Sequence, residues 1–139
     1  MSTSKPPRDG VALPSYAGLR VLLAEDEPMA TKLAMGALKI MGIADIVAVK
    51  DGEQALAVLD HEDGAFQLIV SDWNMPKVSG LDFLKQVRRR YPHMKFLMLT
   101  GNISKEFVLA AKQNGVDAYI GKPFSPVQLR RKVEALFHF

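Results

Sequence analysis

The sequence predicts an α/β fold, a parallel sheet wound on both faces by helices. Strand-like and helix-like patterns alternate five times from Arg20 onward, which is the signature of successive βα units. The run Phe66-Gln67-Leu68-Ile69-Val70-Ser71 is nearly continuous in apolar residues, as a strand buried on both faces must be. Four such runs end in acids, a hydroxyl or a lysine, at the sheet edge where open α/β sheets bind ligands.

Each element has its own signal. Val21-Leu22-Leu23-Ala24 places the first strand near 20–25, and Pro28 opens a helix near 28–41. A second strand falls near 45–49. Asp51-Gly52-Glu53-Gln54 reads as a capping box for a helix near 52–61. The third strand spans about 66–71 and its helix about 80–91. Phe96-Leu97-Met98-Leu99 marks a strand near 95–100, followed by a helix near 103–114. Ala118-Tyr119-Ile120 lies in a strand near 117–121. Ser125-Pro126-Val127-Gln128 caps a last helix near 126–137. Gly42 and Gly115 follow helix ends, where a left-handed residue is wanted.

In the first helix Ala30, Leu33, Ala34, Ala37, Leu38 and Met41 keep the i, i+3, i+4, i+7 rhythm of a core face. Met29, Gly36 and Ile40 lie together on a flank outside it. That flank is either a rim packed by a neighbouring loop or a docking surface for a partner helix.

At 139 residues the chain is one domain's length. Residues 1–18, with Pro6, Pro7, Pro14 and several Ser and Gly, read as a disordered or loosely docked tail. Residues 19–139 form the folded unit. Cysteine is absent, which excludes a disulfide framework and thiolate metal sites. No membrane-length apolar stretch or signal peptide is visible, so a cytoplasmic location is expected. The net charge of +3 is modest. Its basic runs, Arg88-Arg89-Arg90 and Arg130-Arg131-Lys132, fall on helices and read as solvated faces rather than a nucleic-acid footprint. His61, His93 and His138 are scattered without metal-ligand spacing and read as surface or rim residues.

The strand ends carry the chemistry. Asp72 closes the third run, Glu25 and Asp26 the first, Thr100 the fourth, and Lys122 follows the fifth. Three converging acids call for a cation, and oxygen ligands suit Mg²⁺. Asp26 and Asp72 are plausible direct ligands, the Asn74 carbonyl a third, and the longer Glu25 a holder of bound water. Asp72 is the expected nucleophile toward a phosphoryl group, giving an aspartyl phosphate. Mg²⁺ and Lys122 would neutralise its oxygens and the Thr100 hydroxyl would donate to one. Taken singly these residues read as caps, turns and surface positions. Their joint placement is what points to a site. A phosphatase would need a second acid, and Asn74, two residues past Asp72, cannot serve. No Gly-rich phosphate loop is present, which argues against a nucleotide hydrolase.

These residues resemble the receiver domain of two-component response regulators, close to the single-domain CheY-like type. The similarity rests on Glu25-Asp26, on Ser71-Asp72-Trp73-Asn74-Met75-Pro76 with Gly80, on Thr100-Gly101, and on Tyr119 with Lys122-Pro123. It covers about residues 19–138. It implies a flavodoxin-like (βα)₅ fold with strand order 2-1-3-4-5. It implies that Asp72 accepts phosphate from a phosphohistidine on a histidine kinase or histidine phosphotransfer protein, with Mg²⁺ as cofactor. Tyr119 would be the switch aromatic, moving inward with Thr100, although an aromatic on a strand is more often half-buried packing. The bond before Pro123 is expected cis. Glu25 is a departure, since many members carry Asp there.

No effector domain follows Lys122 in this sequence, so output is expected through contact with an unknown protein. The expected face combines the fourth helix, last strand and last helix, with Lys105, Val108, Tyr119 and Lys132 as candidates. Such a protein is no enzyme beyond its own autophosphorylation and autodephosphorylation. Rival readings are a phosphorelay intermediate that passes phosphate onward, a metal-dependent phosphatase, and a structural pseudo-receiver. The last is disfavoured because every chemical position is filled.

Overall fold

The computed structural model describes residues 15–137 and 139. After a 3₁₀ turn at Tyr16–Gly18, five βα units follow: β1 Arg20–Ala24, α1 Pro28–Ile40, β2 Asp45–Val49, α2 Gly52–His61, β3 Leu68–Asp72, α3 Gly80–Arg90, β4 Lys95–Thr100, α4 Lys105–Gln113, β5 Ala118–Gly121 and α5 Pro126–Leu136. All pairings are parallel and the strand order is β2-β1-β3-β4-β5. The α/β class and the order expected from the resemblance both hold.

The period-two alternation of strands divides the core between the two faces of the sheet. Val21, Leu23, Val70, Leu97 and Leu99 face α1 and α5. Leu22, Ala24, Ile69, Phe96 and Met98 face α2, α3 and α4. β3 is central and buried at every position, which explains its nearly continuous apolar pattern.

The helix ends follow local chemistry. Ser125 and Gln128 form the reciprocal capping box the sequence predicts, at 3.1 and 2.8 Å. Asp51 accepts from the Gln54 N–H at 2.8 Å, but Gln54 Oε1 accepts from Lys50 N–H rather than from Asp51. Half of that expected box is therefore displaced by one residue. Gly42 and Gly115 hold φ of 96° and 89°.

Other expectations need correction. β3 starts at Leu68 rather than Phe66, because the chain arrives through left-handed Asp63 and Gly64 and Phe66 N–H closes back on Gly64 O. α4 starts at Lys105, since Ser104 is its cap and accepts from Phe107 N–H. Leu33 is 38% exposed and borders a groove beside Pro123 and Phe124 instead of joining the core. Arg88 is no solvated charge. It donates to Met94 O, Gly115 O and Asp117 Oδ2 at 2.6–2.8 Å, tying α3 to the β4 and β5 edge. Of the expected tail, residues 1–14 lie outside the described residues, and Tyr16 packs edge-on against Phe139 with ring centroids 4.9 Å apart. His61 and His93 are exposed, and His138 lies outside the described residues.

Candidate functional site

The parallel register brings the strand ends level, so residues far apart in sequence meet at one edge. Asp72 ends β3 opposite Leu99, and Glu25 follows β1 with its N–H bonded to Val49 O at 3.0 Å. Oxygens of Glu25, Asp26 and Asp72 lie within 4.8 Å of one another. Glu25 and Asp72 are buried, at 1% and 5% exposure, whereas Asp26 is open to solvent.

Lys122 reaches this cluster from beyond β5, and its peptide bond to Pro123 is cis. Its Nζ donates to Glu25 Oε1 at 2.9 Å and stands 3.5 Å from Asp72 Oδ1. A third carboxylate, Glu27, lies 3.4 Å from the same nitrogen. No sequence motif marks Glu27 as a site residue. Its only signal in the chain is its place directly after Asp26.

Burial of Asp72, first, and the charge of Glu25, second, push its carboxyl from an ordinary 3.8 up to about 6. Asp26 adds to the rise, while Lys122 and the Trp73 N–H oppose it. For Lys122 burial is the largest influence and works downward. The hydrogen bond to Glu25 and the charges of Asp72 and Glu25 outweigh it, so its pKa moves up.

The donor set fits a hard divalent cation. All three side chains offer carboxylate oxygen, and Asp72 is held as a strained acid that a positive charge would relieve. Both Glu25 oxygens are already engaged. Oε1 accepts from Lys122 and Oε2 from Glu27 N–H at 3.1 Å. Asp26 has no such partner among the described residues.

The loop after Asp72 is closely fitted. Gly80 N–H donates to Trp73 O at 2.7 Å, and a Cβ on Gly80 would collide with the Asp72 carbonyl and come within 2.7 Å of Trp73 Cα. Asn74 is exposed, and Lys77 adopts φ 70° with its ammonium 3.5 Å from Glu53. Trp73 stacks on Phe107 of α4 at 4.9 Å.

Thr100 sits at the edge of the site, but its hydroxyl is occupied locally. It donates to Asn102 O at 2.9 Å and accepts from Asn102 N–H at 3.0 Å. Tyr119 is half-buried, and with Thr100 it borders a void of about 10 Å³ that Phe107 also lines. Lys132 lies over the Tyr119 ring at 5.7 Å. Val108 joins Tyr119 and Lys132 along one groove, and Lys105 is exposed at the start of α4. Met29 and Ile40 are 67% and 83% exposed, so the α1 flank is open and no described loop packs over it.

Three carboxylates and a lysine gathered at the edge of this parallel sheet define a class, and comparison with known proteins identifies it. Residues 21–134 match the response regulator receiver domain, and the chain belongs to that family. It is 32% identical over 121 residues to the chemotaxis protein CheY of Pseudomonas aeruginosa, covering 86% of this chain and 96% of that one. CheY1 of Helicobacter pylori is 31% identical, with 85% and 96% covered. The structure of CheY4 of Vibrio cholerae superposes with a TM-score of 0.77 at 30% identity, over 86% of this chain and 98% of that one. The chain is thus a CheY-like receiver, a phosphoacceptor module of two-component signalling. No helix among the described residues is long and apolar enough to cross a membrane.

Proposed function

We propose that Asp72 is the phosphoacceptor and that it takes its phosphoryl group from a phosphohistidine on a histidine kinase or histidine phosphotransfer protein. The supporting observation is a buried carboxylate at the end of the central strand, beside one ammonium and two further acids. An Asp72 oxygen attacks phosphorus, the P–O bond forms as the P–N bond breaks, and the imidazole nitrogen keeps the electron pair. Lys122 holds a phosphoryl oxygen. Bound Mg²⁺ supplies the remaining positive charge on the phosphoryl oxygens. Asp26, Asp72 and the Asn74 carbonyl would hold it directly, and Glu25, with both oxygens engaged, through water.

Thr100 must release Asn102 to reach a phosphoryl oxygen. The void beneath it is too small to admit the Tyr119 ring until it moves. Thr100 and Tyr119 therefore switch together. They reshape the face of α4, β5 and α5, where Lys105, Val108, Tyr119 and Lys132 meet the output partner. Met29 and Ile40 dock the donor, since Met29 borders the groove that leads to Lys122.

The test is labelling by acetyl phosphate with Mg²⁺. Wild-type protein should be labelled and Asp72→Asn should not. Equal labelling of that variant rejects the assignment.

A further inference from the structure

Three carboxylates surround the Lys122 ammonium: Glu25 at 2.9 Å, Glu27 at 3.4 Å and Asp72 at 3.5 Å. Only the Glu25 contact has the length of a tight charge-assisted bond. The ammonium is otherwise about equally far from buried Asp72 and exposed Glu27. A phosphoryl oxygen attached to Asp72 would compete with Glu27 for this ammonium.

The partners differ in what their release costs. The Glu25 side chain is fully buried, so losing its cation would leave an uncompensated charge. The Glu27 side chain is 60% exposed and returns to water readily. Glu27 is therefore the partner that lets go.

Its position gives Glu27 no competing structural duty. It is the N-cap residue of α1, yet its side chain makes no capping bond. Its backbone serves the helix instead, its carbonyl accepting from Thr31 Oγ1 at 3.1 Å and its N–H donating to Glu25. Lys122 is the one ion-pair partner of the Glu27 side chain among the described residues.

We infer that Glu27 is a positioning residue that competes with the incoming phosphoryl oxygen for Lys122, and so sets how fast Asp72 accepts a phosphoryl group. The inference rests on the phosphoacceptor reading above.

The experiment measures the initial rate of labelling by acetyl phosphate at saturating Mg²⁺, with each variant's fold checked by its thermal transition. Glu27→Gln should label about two- to five-fold faster, the range an exposed ion pair can supply. Glu27→Asp keeps the charge but withdraws it from Nζ, and should also be faster. In a Lys122→Ala background the same two substitutions should change the rate no further. An unchanged or slower rate in both single variants overturns the inference. So does acceleration by Gln alone, or by either substitution without Lys122, because bare charge would then be the cause. Failure of the phosphoacceptor reading looks different, because Asp72→Asn would then still be labelled.

Discussion

Asp72→Asn should stabilise the metal-free protein, and by an amount that depends on pH. Below about pH 3.8 the carboxyl is protonated in the folded and the unfolded chain alike, and its burial adds no charge penalty. As pH rises from 3.8 to about 6 the unfolded chain gives up this proton while the folded protein keeps it, so stability falls. Above about 6 the loss is complete. At about 1.4 kcal/mol per pKa unit, a rise of roughly two units amounts to about 3 kcal/mol. Asn has nearly the same shape and no charge, so it should recover most of that at pH 8 and almost none near pH 4. Urea unfolding in EDTA at both values, followed by circular dichroism, reads the difference directly. Mg²⁺ should then raise the stability of the wild type more than that of the variant. An Asn variant no more stable at pH 8 than at pH 4, relative to wild type, would refute the account of a carboxylate held under charge strain.

Further outcomes follow from the same geometry. Trp73 is buried beside Asp72, so Mg²⁺ should change its fluorescence, and Asp26→Ala should weaken that response; an equal titration in both proteins would remove Asp26 from the metal site. Met29→Lys and Ile40→Lys should slow transfer from a phosphorylated kinase and leave labelling by acetyl phosphate intact. Equal loss with both donors would indicate a damaged fold, and no change would leave the flank without a docking role. Gly80→Ala should lower stability by about 3 kcal/mol, because its Cβ meets backbone that cannot yield, and a near-wild-type urea midpoint would contradict that fit. Lys122→Ala should accept phosphate from acetyl phosphate more slowly and fail to switch partner binding, and normal switching would exclude Lys122 from the signalling step.

The strand ends were readable from the chain because each apolar run stops at a polar residue, and parallel register does the rest. Asp72, Glu25, Asp26 and Lys122 therefore come together as the pattern suggests. What was not readable depends on direction or on distant partners. Glu27 acquires meaning only from Lys122, which comes from a different strand. The Thr100 hydroxyl turns to Asn102, a local choice that residue type does not announce. Within the run Arg88-Arg89-Arg90 composition treats three residues alike, yet only Arg88 lies against backbone carbonyls. Leu33 keeps the helical rhythm of the core face but sits at its margin, where period alone cannot separate core from groove.

The sheet is also a partition. α1 and α5 are anchored in one apolar compartment, and α2, α3 and α4 in the other. Side chains on opposite faces of a strand point away from each other, so substitutions on the two sides should add in free energy rather than compound. The flank proposed to read the phosphodonor rides on the first compartment, and α4, with its Phe107 against Trp73, on the second. Repacking beneath α1 can thus alter which donor is accepted while the footing of α4 is left untouched. The α5 side of the output face shares that compartment with α1, so only its α4 side is shielded from such repacking.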